Sequence, residues 1–162
     1  MKRKCACLLV LLLLLTGCTP AVDYESVSDS QMYIQPSSAQ VQLQLPSTAA
    51  VTTISDGTGD RIYLCEGYSV AVQTFSAGDL DATLRSVTGF SSNALTILHT
   101  KSGELDRYEC AWSCAGEQQQ VGQAVILSDG NYHYTVSVLA DAGSEPGQWQ
   151  QVLQSVQLST AP

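Results

Sequence analysis

Basic residues are scarce in this sequence. The 162 residues include seven Lys or Arg against 15 Asp or Glu, which gives a formal net charge of −8. Three of the basic residues lie in the segment Lys2–Lys4, so residues 18–162 carry four basic against 15 acidic side chains, a formal charge of −11. Such a surface is repelled by nucleic-acid phosphates and by anionic lipid headgroups. We therefore expect no nucleic-acid partner.

The sequence also lacks an apolar run long enough to cross a membrane. The run from Cys5 to Leu15 has 11 residues. As a helix these residues reach about 16 Å, whereas a bilayer core is about 30 Å thick and needs about 20 apolar residues. A basic start, a short apolar centre and small residues after it are typical of a secretory signal peptide. Residues 1–17 are therefore predicted to be a cleaved export signal.

Common catalytic constellations are missing as well. The sequence has no Gly-x-Ser-x-Gly, no Walker loop, no His-Glu-x-x-His and no Ser/Lys pair of the acyl-enzyme type. His99 and His133 fall on separate predicted strands, and we interpret them as structural or solvated side chains. Asp79 and Asp81 lie at the start of a predicted helix, where they interact with its dipole. We predict that the protein is not an enzyme and has neither a cofactor nor a metal site.

The apolar run ends at a recognisable motif, Leu15-Thr16-Gly17-Cys18. All four positions match the bacterial lipobox, which it resembles. In that family the Cys thiol receives a diacylglycerol and the peptide bond before it is cut. The resemblance implies that Cys18 is the lipidated N-terminus of the mature protein, held on the extracytoplasmic side of a bacterial cell membrane by two or more acyl chains. The alternative is ordinary cleavage that leaves Cys18 as a plain thiol.

The residues after the predicted anchor divide into a tether and a domain. Pro, Ser, Asp and Gln dominate Thr19–Gln40, so residues 18–40 are predicted to be a lipidated N-terminus followed by a flexible tether. Four residues in it are exceptions that can pack on the domain: Tyr24, Met32, Tyr33 and Ile34. Residues 41–162 suffice for one hydrophobic core, and we predict one globular domain there.

Strand patterns recur along this domain. Val41–Leu45 alternates apolar and polar residues, as a half-buried strand does. Arg61–Cys65 and Tyr68–Phe75 flank Glu66-Gly67, which predicts a hairpin. Asp129-Gly130 is a two-residue hairpin signal between the last two strands. The four later strand patterns are Ala94–Thr100, Leu105–Cys114, Val121–Ser128 and Tyr132–Ala140.

Helical spacing appears twice in the domain. The first predicted helix has Asp79 and Asp81 at its start and Gly89 just past its end. Its apolar residues are Leu80, Leu84 and Val87. The second has Ser144 as its predicted cap and Pro146 in its first turn. Its apolar residues are Trp149, Val152, Leu153 and Val156.

The order of these elements predicts the α+β class, with an antiparallel sheet meander and two main helices packed on it. The segment "SDGNYHYTVSVLA" followed by "WQQVLQSVQL" resembles the final hairpin and closing helix of the Mog1/PsbP-like family. The resemblance implies that family's fold and an accessory, protein-binding role. Because its members share no catalytic motif, no functional residue is carried over.

Three cysteines lie in the predicted domain. Alternation along Leu105–Cys114 places Cys110 and Cys114 on one strand face, about 13 Å apart at roughly 3.3 Å per residue. A disulfide needs Cα atoms within about 7 Å, and one zinc ion would also require closer sulfurs. Any disulfide therefore joins Cys65 to Cys110 or to Cys114. The alternative is that all three are small core hydrophobes.

Two functions fit these observations. The first is a non-catalytic accessory or protein-interaction module of the cell envelope, anchored through Cys18. The acidic surface favours a partner envelope protein with a basic patch. The alternative is a small-ligand-binding lipoprotein with a pocket between sheet and helix. The candidates for its wall are Tyr108, Trp112, Tyr132 and Tyr134, and the alternative is that these aromatic residues pack in the ordinary core.

We predict that replacing Cys18 with Ser releases the protein from the membrane fraction, because the substitution removes the thiol that would carry the lipid. Mass spectrometry of the N-terminus of the protein isolated from its own membrane should show an acylated Cys18 and no residues 1–17. A Cys18→Ser variant that stays with the membrane would contradict the prediction.

Overall fold

The computed structural model describes residues 22–28, 39–53, 60–114 and 119–160. The strands in these ranges are β1 (Tyr24–Ser28), β2 (Ala39–Pro46), β3 (Ala50–Thr53), β4 (Arg61–Cys65), β5 (Tyr68–Ser76), β6 (Thr96–Ser102), β7 (Leu105–Cys114), β8 (Gln120–Ser128), β9 (Tyr132–Asp141) and β10 (Gln157–Thr160). The helices are α1 (Leu80–Thr88), α2 (Pro146–Gln154) and a 3₁₀ turn, Ser92–Ala94. No helix in these ranges is long and apolar enough to span a bilayer. The predicted signal peptide and Cys18 lie outside them.

The strands form two antiparallel sheets. Seven of them follow the order β3-β4-β5-β9-β8-β7-β6, and three follow the order β1-β2-β10. With two α-helices packed on these sheets in one domain, the predicted α+β class is confirmed. In the larger sheet, β6 is an edge strand that pairs with β7 alone.

The predicted boundary between tether and domain is too late in the chain. Tyr24–Ser28, inside the predicted tether, forms β1 and pairs with β2, with Tyr24 opposite Pro46. Tyr24 also packs against the main core. Because Tyr24 is partly buried there, it holds the otherwise polar segment against the domain. Periodicity predicts neither β3 nor β10, since four residues are too few to show an alternation.

The turns agree with prediction at one hairpin and differ at the other. The β4–β5 turn holds two residues, and Gly67 adopts a φ of 79°, the left-handed region that glycine tolerates. Three residues rather than two, Asp129 to Asn131, separate the end of β8 from the start of β9, and the last register pair is Ser128 with His133. The carboxylate oxygen Oδ1 of Asp129 accepts hydrogen bonds from the backbone N–H groups of Asn131 and Tyr132, each at 2.8 Å, and this stabilises the wider loop.

The helix boundaries confirm one predicted cap and correct the other. Asp79 caps α1 by accepting a hydrogen bond from the backbone N–H of Asp81 at 2.9 Å, and Gly89 ends the helix with a φ of 80°. At α2 the residue before the first turn is Glu145, not Ser144. The hydroxyl of Ser144 instead donates to the carbonyl oxygen of Gly67 at 2.9 Å. This bond joins the approach to α2 to the β4–β5 turn.

Two cores lie on opposite faces of the seven-stranded sheet, because β8 alternates between them. Val125 and Leu127 belong to the main core, which includes side chains from β2, β4, β5, β9 and α2. Ala124 and Ile126 belong to a smaller core with Leu84 of α1. β8 is therefore buried on both faces, which accounts for its nearly continuous apolar sequence.

The cysteine positions exclude the possible bridge from Cys65. Cys65, Cys110 and Cys114 are all free thiols. Cys65 lies on β4 and the other two on β7, with β5, β9 and β8 between them. Four strand spacings of about 4.8 Å separate the two strands by about 19 Å, far beyond the limit of about 7 Å for a disulfide. Neither Cys65–Cys110 nor Cys65–Cys114 is formed.

We predict opposite effects of removing two buried tyrosine hydroxyls. That of Tyr63 has no hydrogen-bond partner among the described residues, whereas that of Tyr134 donates to Asp129 at 3.0 Å. Tyr63→Phe should leave the free energy of unfolding unchanged or raise it by up to about 1 kcal/mol, and Tyr134→Phe should lower it by about 1 kcal/mol. Urea denaturation measures both values. Equal losses in the two variants would contradict this interpretation.

Candidate functional site

One strip of the larger sheet is left uncovered on the face that carries α2. The helix packs on β2 of the smaller sheet and on β9, near the middle of the larger sheet. On β6 and β7, which lie beyond it, the uncovered side chains include those of Thr96, Leu98, Thr100 and Ala111. Leu98 is 60% exposed, which is high for a leucine on a strand. The sheet thus presents a partly apolar strip to solvent.

This strip is the floor of two adjoining grooves, which we call together the β6–β7 trough. One groove has a volume of about 620 Å³ and is walled on one side by Leu153, Gln150 and Gln154 of α2. The other has a volume of about 320 Å³ and is walled by the segment from Val156 to Leu158. Arg107 lines both grooves. The trough therefore follows β7 past α2 and the start of β10.

Arg107 holds the two walls of the trough to its floor. Its Nη1 donates to the carbonyl oxygen of Val156 and its Nη2 to that of Leu153, both at 3.1 Å. Its Nε donates to Oε1 of Glu109 at 2.6 Å. A guanidinium suits this place because the last carbonyls of a helix carry partial negative charge. Arg107 therefore has a structural role, while the 43% exposed Glu109 side chain faces solvent within the trough.

The outer side of the trough is the free edge of β6. No other strand among residues 22–28, 39–53, 60–114 and 119–160 pairs with that edge, which is seven residues long. Unpaired backbone N–H and C=O groups along an edge are a template for another strand. A charged side chain often protects such an edge, and here Lys101 lies near its end. The arrangement can bind an extended peptide segment.

On the opposite face of the same hairpin, His99 has partners that the sequence did not suggest. Its Nε2 lies 2.7 Å from Oδ1 of Asp106, and its ring stacks on Tyr108 with centroids 4.5 Å apart. Lys101 Nζ lies 3.4 Å from Oδ2 of the same carboxylate. The hydrogen bond from His99, followed by the Lys101 charge, lowers the pKa of Asp106. The strand register, with His99 opposite Tyr108, is the signal that would have revealed this cluster.

His133 lies in the interior of the domain, as a structural histidine does. It is buried on β9, and its Nδ1 is hydrogen-bonded to Oγ1 of Thr83 on α1 at 2.8 Å. Burial lowers the pKa of its imidazole, so the side chain is neutral near pH 7. His99 and His133 are thus not brought together. Within the described ranges, no group of three His, Cys, Asp or Glu side chains is placed to hold a metal ion.

The four candidate aromatic residues pack in or against the two cores, as the alternative interpretation has it. Tyr108 and Trp112 project to the face that carries α1, because they alternate with Arg107 and Glu109 along β7. Trp112 lies directly over Gly122, where a Cβ atom would clash with its ring. Tyr134 is buried in the main core with Tyr132 packed against it. None of these four aromatic residues lines the trough.

Comparisons with known proteins place the chain by fold alone. No protein-family model matches it, and comparison with curated proteins found no match. Among solved structures it is similar to a crystal structure from Bacteroides thetaiotaomicron VPI-5482, with a TM-score of 0.50 and 12% sequence identity. The likeness covers 74% of this chain and 45% of that one, so the chain spans less than half of the protein it matches.

Proposed function

We propose that this protein is a lipoprotein of the bacterial cell envelope, anchored through Cys18, with a Mog1/PsbP-like domain that binds another envelope protein and has no catalytic activity. The observation that carries the proposal is the β6–β7 trough beside a free strand edge. Together they offer a partner both backbone hydrogen bonds and side-chain contacts.

The dimensions of β6 suit an extended segment of the partner. Seven residues at about 3.4 Å each make an edge of about 24 Å. A strand added to such an edge gains affinity from main-chain hydrogen bonds and specificity from pockets that take alternate side chains. The trough supplies apolar contacts from Leu98, Leu105 and Leu153 and polar ones from Glu109. An alternating apolar and polar segment is the expected occupant.

Charge favours a basic partner. Of the four basic residues after position 17, Arg85, Lys101 and Arg107 each already contact a carboxylate. Acidic side chains at the trough end of the molecule include Glu104 and Glu109. Complementary charge across an interface mainly speeds association, so binding should weaken as the salt concentration rises.

The early start of the fold keeps the domain close to the membrane. Cys18 precedes the first residue of β1, Tyr24, by six positions. Six residues span at most about 21 Å when fully extended. A lipidated Cys18 would therefore hold the domain near the bilayer surface, which suits a partner in the same membrane.

A small-ligand binder is the second candidate function. The larger groove, at about 620 Å³, falls within the range of about 300–1,000 Å³ that is usual for ligand sites. Its open side along β6 and its glutamine-rich wall leave a small molecule exposed to water. The protein-binding function therefore fits the trough better.

We predict that a photo-crosslinking residue placed at Leu98 captures a defined protein in the native envelope, whereas the same residue at Val51 does not. The two positions are matched, since Leu98 is 60% and Val51 59% exposed, on the two opposite edge strands of one sheet. The partner should then be retained by Val51→Glu and lost by Leu98→Glu, because a buried unpaired carboxylate is costly. Equal capture at both positions, or a partner retained by Leu98→Glu, would contradict the proposal.

A further inference from the structure

The free edge of β6 presents the backbone groups of alternate residues only. The β6–β7 turn holds two residues, Gly103 and Glu104, so the flanking pair of Ser102 and Leu105 is hydrogen-bonded. Because hydrogen-bonded and non-hydrogen-bonded pairs alternate along antiparallel strands, every second residue of β6 directs its N–H and C=O groups away from β7. These residues are Ile97, His99 and Lys101.

An added strand that bonds to these groups places alternate side chains in the β6–β7 trough. Opposite residues of two paired strands project to the same face of the sheet. The residue that lies beside Leu98, which we call the central position, therefore projects into the trough. Leu98 lies opposite Glu109 on β7. The central position, Leu98 and Glu109 thus form one row across the sheet.

The spacing of this row suits a long basic side chain. Opposite Cα atoms are about 4.5 Å apart in non-hydrogen-bonded pairs and about 5.5 Å apart in hydrogen-bonded pairs, so the central position lies about 10 Å from the Cα atom of Glu109. An extended lysine reaches about 6 Å from its Cα atom at bond lengths of about 1.5 Å, and the glutamate side chain covers the rest. The lysine stem crosses Leu98, which is 60% exposed. Basic side chains commonly bury their stems on apolar surface in this way.

The charge at the inner end of this row is negative. The Glu109 side chain is 43% exposed, and its Oε1 accepts a hydrogen bond from Nε of Arg107. Arg107 also donates to the carbonyl oxygens of Leu153 and Val156, at an end of α2 that carries about half a negative charge. Its single positive charge therefore faces a full and a partial negative charge. Among the described residues that line the larger groove, Arg107 alone is basic.

Other residues at the central position suit this row less well. An aliphatic residue covers Leu98 but removes water from the Glu109 carboxylate without replacing its hydrogen bonds, which costs free energy. An acidic residue is repelled by the same carboxylate. A lysine or an arginine covers the leucine with its stem and donates to the carboxylate with its charged group.

We infer that Glu109 selects the partner: the segment that adds to β6 carries a lysine or an arginine at its central position, bonded to the Glu109 carboxylate. This inference rests on the proposed function and adds to it the chemistry of the bound segment. The adjoining rows lead from Thr96 to Ala111 and from Thr100 to Arg107, and neither pair offers a carboxylate. The requirement for a basic side chain therefore falls on the central position.

The first experiment maps the contact in the native envelope. The full-length protein carries the photo-crosslinking residue p-benzoylphenylalanine at Leu98, and mass spectrometry locates the crosslinked residue of the partner. A lysine or an arginine is expected at that residue or two positions from it, on the same strand face. A captured segment without one overturns this inference and leaves the proposed function standing. Failure to capture any protein contradicts both.

A double-mutant cycle then tests the pair itself, with a synthetic peptide of the captured segment and calorimetry on the full-length protein in detergent micelles. Glu109→Gln, and norleucine in place of the central basic residue of the peptide, should each weaken binding by about fivefold or more. The two changes together should weaken it little further, because groups in contact are not additive. Losses that multiply would overturn the inference.

The cycle also separates direct contact from an effect through the wall of the trough, since Glu109 bonds Arg107 as well. A disturbed wall would weaken the basic and the norleucine peptides equally, and that result would overturn the inference. The matched control Glu104→Gln removes an exposed carboxylate from the β6–β7 turn and should leave binding unchanged. Equal weakening by Glu104→Gln and Glu109→Gln would assign the effect to net charge and overturn the selection by Glu109.

Discussion

The width of the seven-stranded sheet, compared with what covers it, determines the surface of this domain. Seven strands spaced by about 4.8 Å make a sheet about 29 Å wide. The cover on the α2 face consists of α2, which packs on β9, and of the three-stranded sheet, whose β2 contributes to the main core. The central strands β8 and β9 are buried on both faces. On the α2 face little is left to cover β6 and β7, so their apolar side chains meet solvent. The trough exists because no helix among the described residues covers β6 and β7 on this face.

Arg107 stabilises the margin of the sheet that α2 leaves uncovered. The guanidinium of Arg107 donates hydrogen bonds to the carbonyl groups of Leu153 and Val156, at the end of α2 beside the uncovered margin. The same side chain is held by Glu109. The α2 wall is thus fixed to the sheet before any partner arrives. A preformed surface loses less conformational entropy on binding than one that must order itself.

Local signals in the sequence predicted local structure well, and failed where distant strands decide the outcome. Alternation correctly separated Tyr108 from Arg107, and the acid and glycine around α1 correctly marked its ends. The pairing of His99 with Asp106 depends on hairpin register, which alternation does not specify. The separation of Cys65 from β7 depends on strand order, and so does the position of β6 at an edge. The trough could not have been predicted, because it is a property of that order.

The central claim is that the free edge of β6, with the trough beside it, is where a partner binds. Amide hydrogen exchange of the protein with and without its captured partner tests it most directly. Bound partner should slow the exchange of amides along β6 by about tenfold or more, because they become hydrogen-bonded to an added strand, and should leave β3 at the opposite edge unchanged. Unchanged exchange along β6 in the bound state, or protection of β3 instead, would contradict the claim.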